Sequence, residues 1–380
     1  FGRYCERCDD SARLLRIMLA RYVDGDDPQA LDAAVDLGER LILLPDEGEL
    51  PARLLAAILG EDWPFSLRSN LQRLQWAASQ VRGKLSRENW QALVELQREA
   101  MELETEEPDF GELLDFLNRL VMSLAALSGF ALDDMTRDEG WRFLMIGRRI
   151  ERLQFLSGSL AAFLRGAGAF DQAGLEWLLE LGNSSITYRS RYLAVAQLIP
   201  VLDLLLLDEQ NPHAVLFQLK LVTRTLKRLC DDFGVPREAG LPQLVERLAR
   251  FDLGCLENPL FGAASVRAAV EGLADLLEAE TELQRLSAMA MAGGAFSREV
   301  EGWRGELLGL SAAVEAVLDF GDEDDVATLP ADFALKIEAL GLAIKAWLDR
   351  PRAELLKEGF RVVIAGPPNA GKSTLFNIKR

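Results

Sequence analysis

The residues best suited to chemistry lie close to the end of the sequence. Residues 366–373, Gly-Pro-Pro-Asn-Ala-Gly-Lys-Ser, fit the phosphate-binding pattern G-x-x-x-x-G-K-[ST] and follow an apolar run at 360–365 that suits a buried parallel strand. In such a loop backbone N–H groups surround the phosphates, the lysine reaches the outer phosphates, and the hydroxyl binds Mg²⁺. The alternative is a Gly-Pro turn without a ligand. The pattern predicts a nucleotide site made of Gly366, Asn369, Ala370, Gly371, Lys372, Ser373 and Thr374, with Ser373 as the magnesium ligand.

The residues after this loop do not complete a phosphoryl-transfer site. Only seven residues follow Ser373. Phosphoryl transfer also needs an acidic residue that helps to hold Mg²⁺ and a group that positions the attacking water. We therefore expect no catalytic residue and no tightly bound cofactor in this chain.

Cysteine and histidine are sparse and predict no second site. Cys5 and Cys8 have the C-x-x-C spacing of half a zinc site, but both lie on the apolar stripe of a predicted helix, and no second pair follows at ligand spacing. We therefore expect them to be buried core cysteines. His213, the single histidine, has no evident acid–base partner in the sequence and is interpreted as a surface or helix-start residue.

The elements that must position any site are helices. Around residues 135–153 apolar side chains recur at steps of three and four, which predicts a core helix. These side chains are Phe143, Ile146, Ile150, Leu153 and Leu156. Further helices are predicted over 1–22, 28–43, 50–59, 66–84, 87–103 and 109–130, between breaks rich in Gly, Pro and acidic residues.

Charged residues lie off the apolar stripes. Glu6 with Arg3, and Glu151 with Arg148, could belong to a buried charged network, but the interpretation we favour is ion pairing at i,i+3 on a helix edge. Asp9 and Arg13 are likewise expected to form a solvated helix pair.

Two signatures recur at the same offset. Gly-Arg-x-x-Glu-Arg begins at Gly2 and again at Gly147, and the expected N-cap residues Ser66 and Asn211 are also 145 positions apart. For Asn211, Pro212 would occupy the first helical position. The shared offset predicts an internal duplication with units near 1–140 and 146–258.

Composition sets the broad class. The 380 residues are 49% hydrophobic and carry a formal net charge of −18, which argues against a broad nucleic-acid-binding surface. No uninterrupted apolar run reaches the length of a membrane helix, and four cysteines make no disulfide framework, so we expect a cytoplasmic protein without a membrane partner. Phe1 lies inside a predicted helix and is not expected to be the native start.

Residues 1–258 resemble the alpha-E family, an all-helical bacterial domain. The resemblance rests on five stretches, at residues 2–15, 135–143, 147–152, 184–189 and 204–212. It implies a helical protein associated with a circularly permuted ATP-grasp ligase and transglutaminase-like partners. It carries over no catalytic residues.

From about residue 270 the chain resembles a different family, the tRNA-modifying GTPase that acts on the wobble uridine. The match runs through residues 271–281, 296–303, 317–325 and 359–377. It implies that GTP, Mg²⁺ and K⁺ would bind a complete G domain, with Asn369 helping to hold the potassium ion. The guanine-reading Asn-Lys-x-Asp segment of that family is missing here.

The expected fold is mainly α, with three parts. They are a duplicated helical domain at 1–258, a helical segment at 263–358, and a truncated strand, phosphate loop and helix at 359–380, with the junction near 253–265. Three functional hypotheses remain open. The chain is a noncatalytic scaffold that binds an ATP-grasp-like ligase, part of a tRNA-modification GTPase, or a fusion whose two parts do not act together.

Overall fold

The computed structural model of the chain describes most residues between 1 and 348. The described residues are 1–25, 28–103, 109–165, 172–192, 195–236, 240–253, 262–279, 284–285, 288–289, 292, 295–320, 329–330 and 332–348. The predicted strand at 360–365, the phosphate loop and Cys255 lie outside these residues.

Helices form all the regular structure in the described part of the chain. They are α1 Gly2–Asp24, α2 Pro28–Arg40, α3 Leu50–Leu59, α4 Leu67–Gln80, α5 Arg87–Glu102, α6 Phe110–Asp133, α7 Glu139–Arg165, α8 Gln172–Leu181, α9 Ser185–Tyr192, α10 Leu198–Leu202, α11 Val215–Phe233, α12 Gly240–Ala249, α13 Gly262–Glu278, α14 Ala295–Phe320 and α15 Phe333–Leu348. A 3₁₀ turn at Arg82–Lys84 follows α4, and a π-helical turn at Asp203–Leu207 follows α10. The mainly α prediction is confirmed, and the first six helices begin and end within four residues of their predicted bounds.

Side-chain caps explain several of these helix starts. The Ser66 hydroxyl accepts a hydrogen bond from Ser69 N at 3.1 Å, and the Ser86 hydroxyl accepts one from Asn89 N at 3.2 Å. Each bond satisfies an N–H group that has no partner inside the helix. α1 stops where Gly25 adopts a left-handed conformation with φ 67°.

The predicted start of α11 is wrong by a turn. The helix begins at Val215, after Ala214 as its N-cap residue, and not at Pro212. Asn211 instead holds the preceding turn, because its Oδ1 accepts from His213 N at 3.0 Å and its Nδ2 donates to Leu204 O at 2.9 Å. The side chain of Asn211 therefore ties this turn to the π-helical segment before it.

Residues 1–279 and 288–297 form the first of two compact units. α1 and α7 pack against each other at its centre; α1 also contacts α2, α4 and α6, and α7 also contacts α11 and α13. One continuous apolar core surrounds the two helices. Because α13 at 262–278 packs on α7, this unit extends beyond the boundary at 258 that the sequence suggests.

The helix α6 is apolar enough to need explanation. It is the one helix in the described part of the chain that is long and apolar enough to cross a membrane, with a mean hydropathy of 1.4 in its most apolar window. Core helices pass the same test, and α6 packs against α1 through its buried face. That face consists of Leu113, Phe116, Leu117, Leu120, Val121, Leu124 and Leu127.

The apolar stripe expected on α7 holds except at its first position. Ile146, Leu153 and Leu156 are buried, whereas Phe143 is 55% exposed. Its ring lies against that of Phe233, with centroids 5.9 Å apart. Phe143 is therefore part of the surface, and the prediction that it faces the core is wrong.

The second unit comprises residues 280–287 and 298–380. Within it the rings of Trp303 on α14 and Trp347 on α15 meet edge to face, with centroids 6.2 Å apart. Several large apolar side chains of these two helices are exposed, namely Leu307, Leu308, Leu335, Ile337 and Leu342.

Candidate functional site

Two glycines let α1 and α7 approach closely at the start of their contact. A Cβ atom on Gly2 would lie 2.2 Å from the backbone oxygen of Leu144. A Cβ on Gly147 would lie 3.3 Å from Cγ of Arg3. Since real Cβ atoms essentially never come within 3.0 Å of another heavy atom, Gly2 is required by this approach, and Gly147 adds room for Arg3.

Glu6 of α1 is paired with arginines of α7. Its Oε2 accepts a hydrogen bond from Nε of Arg148 at 2.9 Å, and its Oε1 accepts one from Nε of Arg152. The glutamate is buried, and both arginine side chains are mostly buried as well. Both oxygens of one carboxylate are thus bonded to guanidinium groups of the neighbouring helix.

Glu151 of α7 is paired in the opposite direction. Its Oε2 accepts from Nε of Arg3 at 2.9 Å, and its Oε1 accepts from Nε of Arg7. Each helix therefore supplies one glutamate and two arginines, and each glutamate is held by the two arginines of the other helix. We refer to these six residues as the arginine–glutamate network.

The predicted ion pairing within each helix is wrong. Glu6 bonds to Arg148 and Arg152 rather than to Arg3, and Glu151 bonds to Arg3 and Arg7 rather than to Arg148. The close approach of the two helices places the arginines of one helix over the carboxylate of the other. The alternative considered from the sequence, a buried charged network, describes the structure.

Opposing electrostatic effects act on Glu6. Burial alone would raise the pKa of its carboxyl, but Arg152 and Arg148 outweigh burial and hold the pKa below its ordinary value. Glu6 is therefore ionised at neutral pH, which the two buried guanidinium groups require.

Two further acids lie on the same face of α1. One carboxylate oxygen each of Glu6, Asp9 and Asp10 lies within 4.8 Å of the others. Asp9 pairs with Arg13 at 3.0 Å, and because these side chains are only 14% and 17% exposed, the expectation of a solvated pair is wrong. Oδ1 of Asp9 and Oδ2 of Asp10 are buried without a hydrogen-bond partner among the described residues.

This acidic group suits a proton better than a metal ion. Arginines already neutralise Glu6 and Asp9, so an added cation would meet three guanidinium groups. Burial, with smaller effects of Glu6 and Asp9, raises the pKa of Asp10 well above its ordinary value. Asp10 is therefore held protonated, and the group carries no excess negative charge.

A third arginine of α7 points to α11 instead. Nη1 of Arg149 donates to Oε1 of Gln218 at 3.2 Å, and Nε2 of Gln218 donates to Pro212 O. Burial, followed by the charges of Arg152 and Arg148, lowers the pKa of Arg149 to about 10. It remains charged at neutral pH without a carboxylate partner among the residues that the structure describes.

The single histidine lies beside this cluster, on the turn before α11. Burial, and then the charges of Arg152 and Arg13, lower the pKa of His213 to about 4. The imidazole is therefore neutral at neutral pH, and its pKa is too far from 7 for efficient general base catalysis. Sequence reasoning placed His213 at a helix start and could not show that it lies among these arginines.

The cysteines of α1 are core residues, as predicted. Cys5 and Cys8 are buried free thiols. Burial raises the pKa of Cys5 to about 11 and that of Cys8 well above its ordinary value. Among the described residues no further side chain completes a metal site with them, and neither thiol has the thiolate character that reactivity requires.

Two distant stretches that carry the alpha-E resemblance meet in the structure. Nδ2 of Asn211 donates to Oγ of Ser184 at 3.0 Å. The hydroxyl of Tyr188 accepts from Gln197 N at 3.0 Å and donates to Val195 O. These side chains fix the turns around α9 and α11, so their role is to hold the backbone.

The predicted nucleotide-binding residues remain a prediction from the sequence. Gly366, Asn369, Ala370, Gly371, Lys372, Ser373 and Thr374 all lie outside the described residues.

The geometry defines a class of protein: an all-helical domain in which two long central helices exchange arginine–glutamate pairs. A family model described as a predicted alpha-helical domain with a conserved ER motif, Alpha-E, matches residues 1–291. Because this match covers most of the chain, the chain belongs to the Alpha-E family. Two Glu-Arg dipeptides of the network, Glu6-Arg7 and Glu151-Arg152, fit the motif in that description.

A second family model, the MnmE helical domain, matches residues 268–373. The tRNA modification GTPase MnmE of Novosphingobium aromaticivorans is 63% identical over 119 residues, which are 29% of this chain and 27% of that protein. The protein of the same name from Erythrobacter litoralis is 58% identical over 110 residues, 29% of this chain and 26% of that protein. The chain thus spans about a quarter of the length of these curated relatives, and no solved structure matches it.

Proposed function

We propose that residues 1–291 form a noncatalytic helical scaffold that binds a partner protein in the cytoplasm, an ATP-grasp-like ligase. The observation that carries this proposal is the mutual saturation of the arginine–glutamate network. Both carboxylates of the network accept hydrogen bonds from two arginines each, so these groups hold α1 to α7. A catalytic acid or base needs a group within reach of a substrate proton.

A binding assay with the full chain tests the scaffold. The chain and a bacterial ATP-grasp-like ligase are co-purified, and the mass of the complex is measured by light scattering. We expect a stable complex and no ligase or hydrolase turnover by the chain alone. Turnover by the isolated chain that is lost in Glu151→Gln, with the helical circular dichroism spectrum unchanged, contradicts the noncatalytic proposal.

For residues 359–380 we propose an incomplete GTP-binding segment that does not hydrolyse GTP. Titration of the full chain with a fluorescent GTP analogue, with and without Mg²⁺ and K⁺, tests this segment. Lys372→Ala removes the expected phosphate contact, and Lys379→Ala is a matched control in the same segment. Saturable, magnesium-dependent binding with GTP turnover that is lost only in Lys372→Ala would overturn the proposal.

A second candidate function is favoured by the relatives of the C-terminal part. An identity of 63% over 119 residues supports a fragment or fusion of a tRNA wobble-uridine modification GTPase. Expression of the chain in a strain that lacks this GTPase tests the candidate, with the modified wobble nucleoside measured by mass spectrometry. Restored modification supports the candidate, and an unmodified uridine in the presence of the expressed protein contradicts it.

We also propose that the first unit arose by internal duplication. The residues that pair between α1 and α7 occupy equivalent positions 145 residues apart. The neighbouring helices also correspond, because α1 contacts α4 and α6, and α7 contacts α11 and α13. α4 and α11 begin 148 positions apart, so a shift of three residues separates the two signatures. In an experimental structure, one rotation must superpose 2–20 on 147–165 and 67–80 on 215–228; failure of either pair removes the proposal.

A further inference from the structure

Arg149 is a cation in an unusual position. Its side chain is half-buried, and burial together with the charges of Arg152 and Arg148 lowers the pKa of its guanidinium group to about 10. The one hydrogen bond that the structure gives it comes from Nη1 to the neutral amide of Gln218. Four of the five guanidinium N–H donors therefore have no protein acceptor among the described residues, and withdrawal of an unpaired charge from water is costly.

Arg149 is also held in place. Gln218 is fully buried, and its amide cannot turn over, because Nε2 donates to Pro212 O while Oε1 accepts from Arg149. Arg149 pairs with no acid among the described residues, yet a buried amide fixes its orientation, so we infer that the guanidinium must point in one direction.

Arg149 lies close to the turn before α11, because the amide of Gln218 joins its guanidinium group to the carbonyl of Pro212. The His213 imidazole is only partly buried, and its backbone is fixed by the bond from His213 N to Oδ1 of Asn211. The charges that act on it are those of Arg152, Arg13 and Arg149, against Glu6 alone. Positive charge therefore dominates around His213.

The neighbouring acids do not cancel this charge. The network pairs four arginines with two glutamates, Asp9 is used by Arg13, and Asp10 is held protonated by its burial. A planar guanidinium with free donors binds carboxylate or phosphate oxygens through two parallel hydrogen bonds. An imidazole adds a further donor once a bound anion favours its protonation.

We propose that Arg149 and His213 form a binding site for an oxyanion, the phosphate or carboxylate group of a small acidic ligand. Gln218 positions the guanidinium group of Arg149, and Asn211 fixes the backbone of His213. The site does not depend on the scaffold function, because it uses residues outside the arginine–glutamate network.

The histidine makes the site directly measurable. The chain contains one histidine, so the NMR signal of its imidazole C2 proton belongs to His213 alone. We titrate the full chain with inorganic phosphate, and separately with acetate, at constant ionic strength held with chloride. A saturable shift with phosphate only identifies a phosphate site, and a saturable shift with acetate only identifies a carboxylate site. In either case the bound anion raises the pKa of His213 from about 4.

Variants separate specific binding from general charge effects. Arg149→Met should weaken binding at least about tenfold, the loss of one charge-assisted pair. Arg142→Met is the matched control on the same helix, since Arg142 pairs with Asp232 at the surface, and it should leave binding unchanged. Arg149→Lys keeps the charge without the planar fork and should give intermediate affinity.

Two results overturn the proposal. One is the absence of a saturable shift with both anions, and the other is equal binding by the wild type and Arg149→Met. If Arg149→Met does not fold, Arg149→Lys serves as the deciding variant, and wild-type affinity in Arg149→Lys then counts against the site.

Discussion

The two ends of the arginine–glutamate network have the same hydrogen-bond pattern but different surroundings. At the Glu6 end, the side chains of Arg148 and Arg152 are 13% and 18% exposed. At the Glu151 end, those of Arg3 and Arg7 are 57% and 34% exposed. The first end is therefore shielded from water, whereas the second is open to water through its two arginines, although Glu151 itself is buried.

The residues at matching positions also differ. Asp10 and Arg149 lie near Glu6, whereas the positions 145 residues away from them are Phe155 and Tyr4. The guanidinium carbon of Arg7 lies over the ring of Tyr4, 5.7 Å from the ring centroid. An aromatic ring therefore occupies the position that Arg149 has at the Glu6 end. The arginine–glutamate pairs thus join α1 to α7 at both ends, and the Glu6 end has additional ionisable groups beside them.

Because of this difference, the same hydrogen-bond pattern is expected to contribute unequally to stability at the two ends. Ion pairs open to water contribute little to stability, because water competes for both partners. A buried pair is costly to break, because removal of one partner leaves an uncompensated charge away from water. The two ends should therefore respond very differently to the same mutation.

The largest difference is expected from loss of each glutamate. Glu6→Gln should lower the free energy of unfolding by about 3–5 kcal/mol, because Arg148 and Arg152 lose their counter-charge in a buried place. Glu151→Gln should lower it by about 1 kcal/mol, because Arg3 and Arg7 can turn to water. Urea denaturation followed by circular dichroism measures both. Equal losses would show that the two ends are energetically alike.

A smaller difference is expected at the two glycines. Gly2→Ala should destabilise by about 1–3 kcal/mol, since its methyl group would meet the backbone of Leu144. Gly147→Ala should change stability by less than about 1 kcal/mol, because its methyl group meets the flexible side chain of Arg3 and alanine favours the helix. Thermal denaturation of both variants ranks them, and the reverse order would contradict this geometry.

The effect most dependent on pH is expected at Asp10. Its pKa is raised in the folded state, so the folded chain holds a proton that the unfolded chain releases above about pH 4. The stability that Asp10 contributes is thus complete below pH 4 and is lost as the pH rises. Asp10→Asn, which stays neutral, should gain stability relative to the wild type by up to about 1.4 kcal/mol for each pH unit above about pH 4, with no difference below pH 4. A gap that does not change with pH would show that Asp10 is ionised in the fold.

The helices could be predicted from the sequence, because apolar periodicity and cap residues report local structure directly. Leu153 and Leu156 of α7 lie on its buried stripe as predicted. The partners of Glu6 and Glu151 could not be derived in the same way. Spacing identifies neighbours at i,i+3 and i,i+4 on one helix, but it does not tell which helix packs across from it. The repeated Gly-Arg-x-x-Glu-Arg was the one available signal, because it places equivalent charges and a glycine on two helices.

Asn211 illustrates a second limit. Asn followed by Pro is a strong local signal for a helix start, yet the helix begins at Val215. The Asn211 side chain instead donates hydrogen bonds to Ser184 and Leu204, which lie 27 and 7 positions back in the chain. Tertiary hydrogen bonds outweigh local cap preference here, and no local pattern reveals them.

The pairing of α1 with α7 also affects the order in which the chain reaches its final state. Arg3 and Glu151 are separated by 148 positions, so a growing chain exposes α1 long before its partner is made. Until α7 leaves the ribosome, Glu6 and Asp10 have no buried place, and the apolar stripe of α1 is open to chaperones and proteases. The packing of α1 is thus completed only after α7 has been made.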